Sequence, residues 1–133
     1  MRAIARRSGG TLKHEIEFGS ENHSLVADEP EETGGSDEGP NPQELLAASL
    51  ASCSAITMEM YAQRKGWDIG EVVVDVDYEP AQRGSPTKFQ MKVQLPKELP
   101  QEQQQRLMQI VAKCPVHRTL EGEVMFDEKL ELV

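Results

Sequence analysis

A chain of 133 residues suits a single domain spanning 1–133, and with 38% hydrophobic and 5% aromatic residues its core has to be built from Ala, Leu, Val and Met. The net charge of −9 argues against nucleic acid as a partner, since phosphate binding needs a basic surface and only Arg2, Arg6 and Arg7 cluster. The first residues are charged and no apolar stretch follows them, so a signal peptide is not expected; the two Cys are then expected in a reducing, cytoplasmic compartment.

Residues 2–7 are predicted to form a first strand, and Ser8, Gly9 and Gly10 a turn. In 11–18 the residues Leu12, His14, Ile16 and Phe18 alternate with Lys13, Glu15 and Glu17, which predicts a half-buried strand. Gly19 to Asn22 read as a hairpin turn and His23 to Ala27 as a third strand, giving an antiparallel meander. The stretch 28–40 holds six acids, no bases, three Gly and two Pro, and reads as a mobile, solvated loop, with a lid over a site as the functional alternative.

A long helix is predicted over 42–65. Asn41 suits the N-cap, Pro42 the first position, and Glu44 completes a capping box, which is also the simplest role for Gln43 and Glu44. Arg64 and Lys65 suit the last turn and Gly66 the left-handed exit. No charge occurs between Leu45 and Met58, so the helix is expected to be buried on all sides. Its uncharged run of 14 residues, rich in Ala and Ser, reads as too short and too weakly hydrophobic to cross a membrane. A small core that must wrap such a helix suggests a second copy, hence a homodimer.

Beyond the helix, 72–77 and 87–95 alternate as two strands of a second hairpin, with Val72, Val74, Val76, Phe89, Met91, Val93 and Leu95 on the apolar faces. A helix over 99–113 is predicted from Leu107, Ile110 and Val111, whose spacing carries Cys114 onto the same buried face. Pro115 breaks it and puts Cys114 near the N-cap of a short further helix, and 123–132 alternates as a closing strand.

Two residues invite chemistry. Cys53 lies mid-helix among Ala, Ser and Leu, where burial raises a thiol pKa, so a thiolate there needs a cation from elsewhere: Arg118, Arg6, Arg7 or a partner chain. Cys114 has a local reason to ionise, a helix N-terminus with His117 and Arg118 beside it. A buried free Cys is also an ordinary small hydrophobe, and two Cys with one neighbouring His are too few for a zinc site, so no metal is expected.

The segment GPNPQELLAASLASCSAITMEMYAQRKGW, followed by CPVHRTL, resembles the OsmC/Ohr superfamily and its OsmC-like branch, over essentially the whole chain. The resemblance implies an α+β fold in which antiparallel sheets wrap a long central helix, within an intertwined homodimer carrying two interface sites. It further implies a thiol-dependent peroxidase: Cys53 matches the cysteine oxidised to a sulfenic acid by an organic hydroperoxide, and Cys114 the cysteine that resolves it as a disulfide. A dithiol reductant would restore both, with no metal or organic cofactor. In the Ohr branch an acidic residue directly follows the helix-start Pro and pairs with an Arg; here that position is Gln43, and Glu44, one residue on, is turned by about 100°. The alternative reading is an OsmC-like protein that binds a small apolar ligand or thiol at the dimer cleft without peroxidase chemistry.

Overall fold

The computed structural model describes residues 1–19 and 22–133. The expected turn around Ser20 and Glu21 lies outside the described residues. The fold is α+β, with small antiparallel sheets and helices, and the chain divides into two compact units. One holds Met1–Ala48 and Tyr78–Thr87; the other holds Ser49–Asp77 and Lys88–Val133.

In the first unit, β1 (Ala3–Arg7), β2 (His14–Phe18) and β3 (Ser24–Ala27) form the expected antiparallel meander. Ala5 faces Ile16, which faces Leu25, so apolar side chains meet across the three strands. Arg6 pairs with Glu17 and Arg7 donates to Gly10 O at 3.1 Å, so two of the three clustered arginines serve the sheet.

The acidic stretch after β3 is the largely exposed loop its composition suggests, but it is not a featureless connector. It folds around Asp28, which is only 2% exposed. The Asp28 carboxylate accepts hydrogen bonds from Glu29 N at 2.8 Å, Glu38 N at 3.2 Å and Ser36 N at 3.3 Å. Asp28 N in turn donates to Pro40 O at 3.1 Å, closing the loop on itself. A short 3-10 helix, Glu31–Thr33, occupies the middle, and Gly35 passes so near Glu29 that a Cβ there would lie 1.9 Å from Glu29 O. Burial alone would raise the Asp28 pKa. The three backbone N–H donors, helped by the Lys13 charge, outweigh it and hold the carboxyl below its ordinary range.

The long helix, α1 (Pro42–Lys65), has the predicted ends. Glu44 N donates to Asn41 Oδ1 at 2.8 Å and Asn41 N to Glu44 Oε1 at 3.1 Å, a reciprocal capping box. Gly66 takes the left-handed conformation at φ 71°, and Trp67 N closes the last turn on Ala62 O at 2.9 Å.

In the second unit, α1 is covered along one stripe rather than all round. Leu50, Ser54, Met58 and Ala62 are buried, while Ile56 and Met60 stand 54% and 56% exposed. The stripe with i, i+4 spacing meets α2 (Gln101–Val111) through Leu107 and Val111, and Ile69 completes the cluster. Burial of the large side chains Met58, Ile69, Leu107 and Val111 contributes roughly 1.5–3 kcal/mol each. The expected alternation holds in β4 (Val73–Glu79) and β5 (Lys88–Gln94), and Met91, Val93 and Leu95 pack against the same cluster. Tyr61 and Trp67 meet edge to face at 5.6 Å, and Arg106 Nε donates to Tyr61 OH at 2.9 Å.

Two further expectations fail. Residues 123–132 form no strand: Met125, Phe126, Leu130 and Leu132 are 81–95% exposed. Alternation writes a strand only where a neighbouring edge completes the ladder, and no such edge is paired with it among the described residues. By length and composition α1 is also apolar enough to cross a membrane, with mean hydropathy 1.3 over its best 18 residues. The uncharged run of 14 residues is shorter than that window, and the core helix of a soluble protein meets the same measure.

The Asp28 geometry fixes a pH dependence. A carboxyl held low in the folded state adds stability above its unfolded pKa of about 4, and that stability drains away as pH falls toward the folded value. Asp28→Asn should therefore melt at a lower temperature than the parent at pH 7. The gap should shrink as pH falls below about 4. Thermal melts of both proteins between pH 7 and pH 2.5 check this, and parallel curves would show that Asp28 does not carry the acid sensitivity.

Candidate functional site: two thiols in one core

The candidate site lies wholly within the second unit. Val111 is the last residue of α2, and two short hydrogen-bonded turns then bring the chain to Cys114. Cys114 adopts an extended backbone, φ −62° and ψ 143°, and caps α3 (Pro115–Glu121), as the Cys-Pro pair predicts. Its side chain takes the place of the usual Ser or Asp: Cys114 Sγ accepts the amide N–H of His117 at 3.3 Å. Cys114 is fully buried at the end of the Leu107–Ile110–Val111 face.

Cys53 reaches the same place from α1. Its thiol is partly buried and interacts with the side chains of Cys114 and Thr57 and with the backbone N–H of Val116. Both cysteines are free thiols. Burial is the main influence on Cys53 and pushes its pKa up. The Val116 N–H and the Thr57 hydroxyl pull it down, while the Cys114 sulfur, as a hydrogen-bond partner and a like charge, adds to the rise.

Ser54 is the polar member of the buried α1 stripe. It is fully buried, and its Oγ donates to Cys114 Sγ at 3.6 Å. His117 keeps a quarter of its side chain exposed; Glu121 Oε1 lies 3.1 Å from its Nδ1, within ion-pair reach but without hydrogen-bond geometry.

The residues singled out in the sequence thus divide. Cys53, Cys114 and the backbone of His117 come together. Arg118 is exposed on α3. Gln43 and Glu44 belong to the first unit, both exposed, and Glu44 is engaged in the capping box. Ser54, Thr57 and the Val116 amide were not singled out. For Ser54 a signal existed: it stands four residues from Leu50 and from Met58, so a hydroxyl there has to find a buried partner. Among the described residues no group of three or more His, Cys, Asp or Glu is placed to hold a metal ion.

The sequence profile of the OsmC-like protein family matches residues 35–129, which include both cysteines. No curated protein matches the chain. Solved structures do. A candidate osmotic stress induced and detoxification response protein from Psychrobacter arcticus superposes with a TM-score of 0.75 at 23% identity, covering 88% of this chain and 85% of its own. An OsmC-like protein of unknown function from Vibrio cholerae gives 0.68 at 13% identity, with 92% and 94% covered. The organic hydroperoxide resistance protein OsmC from Legionella pneumophila gives 0.65 at 21% identity, with 92% and 90% covered. Likeness at these identities speaks to the fold, and the family profile spans most of the sequence: the chain belongs to the OsmC-like protein family.

Proposed function

We propose that this chain is a thiol-dependent peroxidase that reduces small organic hydroperoxides as a homodimer. The observation that supports the reading is the convergence of Cys53 and Cys114 from two distant parts of the sequence: Ser54, next to Cys53 on α1, reaches Cys114 Sγ at 3.6 Å, and Cys114 is near enough to raise the Cys53 pKa. The Cys53 thiolate attacks the terminal peroxide oxygen. A sulfur–oxygen bond forms, the oxygen–oxygen bond breaks, and the alkoxide leaves and is protonated to an alcohol. Cys114, as a thiolate, then attacks the sulfur of the Cys53 sulfenic acid. The disulfide forms, and hydroxide leaves and is protonated to water. A dithiol reductant restores both thiols and becomes a disulfide itself. Both electrons come from sulfur, so the cycle requires no metal or organic cofactor.

The relatives support this reading to the extent that some, such as the Legionella protein, are named for organic hydroperoxide resistance. The second copy is supported by the exposed Ile56 and Met60 of α1 and by the apolar residues of 123–132, which stay exposed among the described residues of one chain. Two unpaired thiols fit a reducing cytoplasm. A second reading, a dimer-cleft binder of a small apolar ligand or thiol, draws on the raised Cys53 pKa, which works against a thiolate.

Treatment with one equivalent of tert-butyl hydroperoxide separates the two readings. Intact mass of the wild type should fall by the two thiol hydrogens. Cys114→Ser should instead gain one oxygen, and Cys53→Ser should be inert. A wild type that stays fully reduced in excess peroxide sinks the peroxidase reading.

The direction of the Cys53 shift sets the pH profile. Below a raised pKa the thiolate fraction grows about tenfold per pH unit, so the oxidation rate should keep climbing from pH 6 to pH 8. Stopped-flow rates that level off below pH 7 would contradict it. For assembly, light scattering should give a dimer mass for the wild type and a monomer mass for Ile56→Asp.

A further inference from the structure

We infer that Ser54 is a positioning residue for the second thiol step, holding the Cys114 sulfur in the attitude from which it closes on Cys53. The inference rests on the thiol cycle proposed above and adds a residue to it.

Three observations lead there. Ser54 is fully buried, yet Ala would fill the same helical position with a better propensity and nearly the same volume. The hydroxyl is therefore not needed by the packing of Leu50, Met58 and Ala62. A buried hydroxyl also demands a partner, and this one donates to the equally buried Cys114 Sγ at 3.6 Å. Finally, the same sulfur accepts His117 N–H at 3.3 Å. Two donors on two separate helices fix one atom in space.

Ser54 follows Cys53 directly in the rigid body of α1, so its hydroxyl ties the position of Cys114 to the helix that carries the sulfenic acid. The bond matters most before closure. In the resolving step Cys114 attacks as a thiolate, and a hydroxyl bond to a charged acceptor is about twice as strong as a neutral one. When the disulfide forms, the Cys114 sulfur gives its electron pair to Cys53, hydroxide leaves the Cys53 sulfur as water, and the hydrogen bond weakens. Ser54 thus favours the approach of Cys114 and, at equilibrium, the dithiol over the disulfide.

The test compares wild type, Ser54→Ala and, as control, Ser52→Ala, whose exposed hydroxyl donates to Ser49 O at 3.2 Å. Oxidation by one equivalent of tert-butyl hydroperoxide is followed by stopped flow, with sulfenic acid trapped by dimedone. In Ser54→Ala the first step should stay within about twofold of wild type, while resolution slows about tenfold and dimedone adducts accumulate. In dithiothreitol buffers, where the disulfide is formed without peroxide, its equilibrium should move about tenfold toward the disulfide, about 30 mV. Ser52→Ala should match wild type in both assays. Resolution at the wild-type rate overturns the inference. So does a shift of the equilibrium away from the disulfide, which marks a merely distorted site. A wild type that ignores peroxide sinks the peroxidase reading instead, and the dithiothreitol equilibrium still decides the role of Ser54.

Discussion

One sulfur atom ties the second unit together. Cys114 Sγ ends the buried face of α2, caps α3 through the amide of His117, receives the hydroxyl of Ser54 and lies near enough to Cys53 to raise its pKa. A helix N-cap contributes on the order of 1 kcal/mol, so the residue has a structural reason to be polar as well as a chemical one. Pro115 enforces the arrangement. It prevents α2 from continuing, suits the first position of α3, and so leaves Cys114 extended with its side chain turned back on the new helix. Any change that lets α2 run on through Cys114 would unmake the cap and the site in one step.

The same logic explains which parts could be read from the residues. Local signals were sufficient where a single turn of chain decides the outcome: the Asn41–Glu44 box, the Gly66 exit, the Cys114 cap and the alternation of β4 and β5. They failed where the deciding partner is remote. Six acids in 28–40 signalled solvation, and nothing in their spacing revealed that Asp28 would collect three backbone amides from eight and ten residues on and from its neighbour. The alternation in 123–132 specified a strand but not its partner.

The long helix shows the limit from the other direction. Lacking charge on every side, α1 gave no amphipathic pattern from which to choose a buried face. The chosen face follows Leu50, Ser54, Met58 and Ala62, placing Ser54 inward and leaving Ile56 and Met60 outward. Cys53, one position earlier, falls at the margin of that stripe. This is why its thiol is partly rather than fully covered, and why the neighbouring Ser54, not Cys53, is the more deeply buried polar group.

The marginal position of Cys53 bears on how a thiol with a raised pKa can still serve the proposed cycle. Burial and the adjacent Cys114 both oppose its charge, and the Val116 amide and Thr57 hydroxyl oppose them in turn. Two neighbouring thiolates repel, so the pair holds one negative charge more readily than two. If that charge is spent in the first step, Cys53 becomes a neutral sulfenic acid and the repulsion is gone when Cys114 must act. Proximity, which hinders Cys53 as a nucleophile, then helps Cys114: the two steps fall into order because the sulfurs share one site. A cation beside Cys53 would speed the first step but is not needed to establish that order.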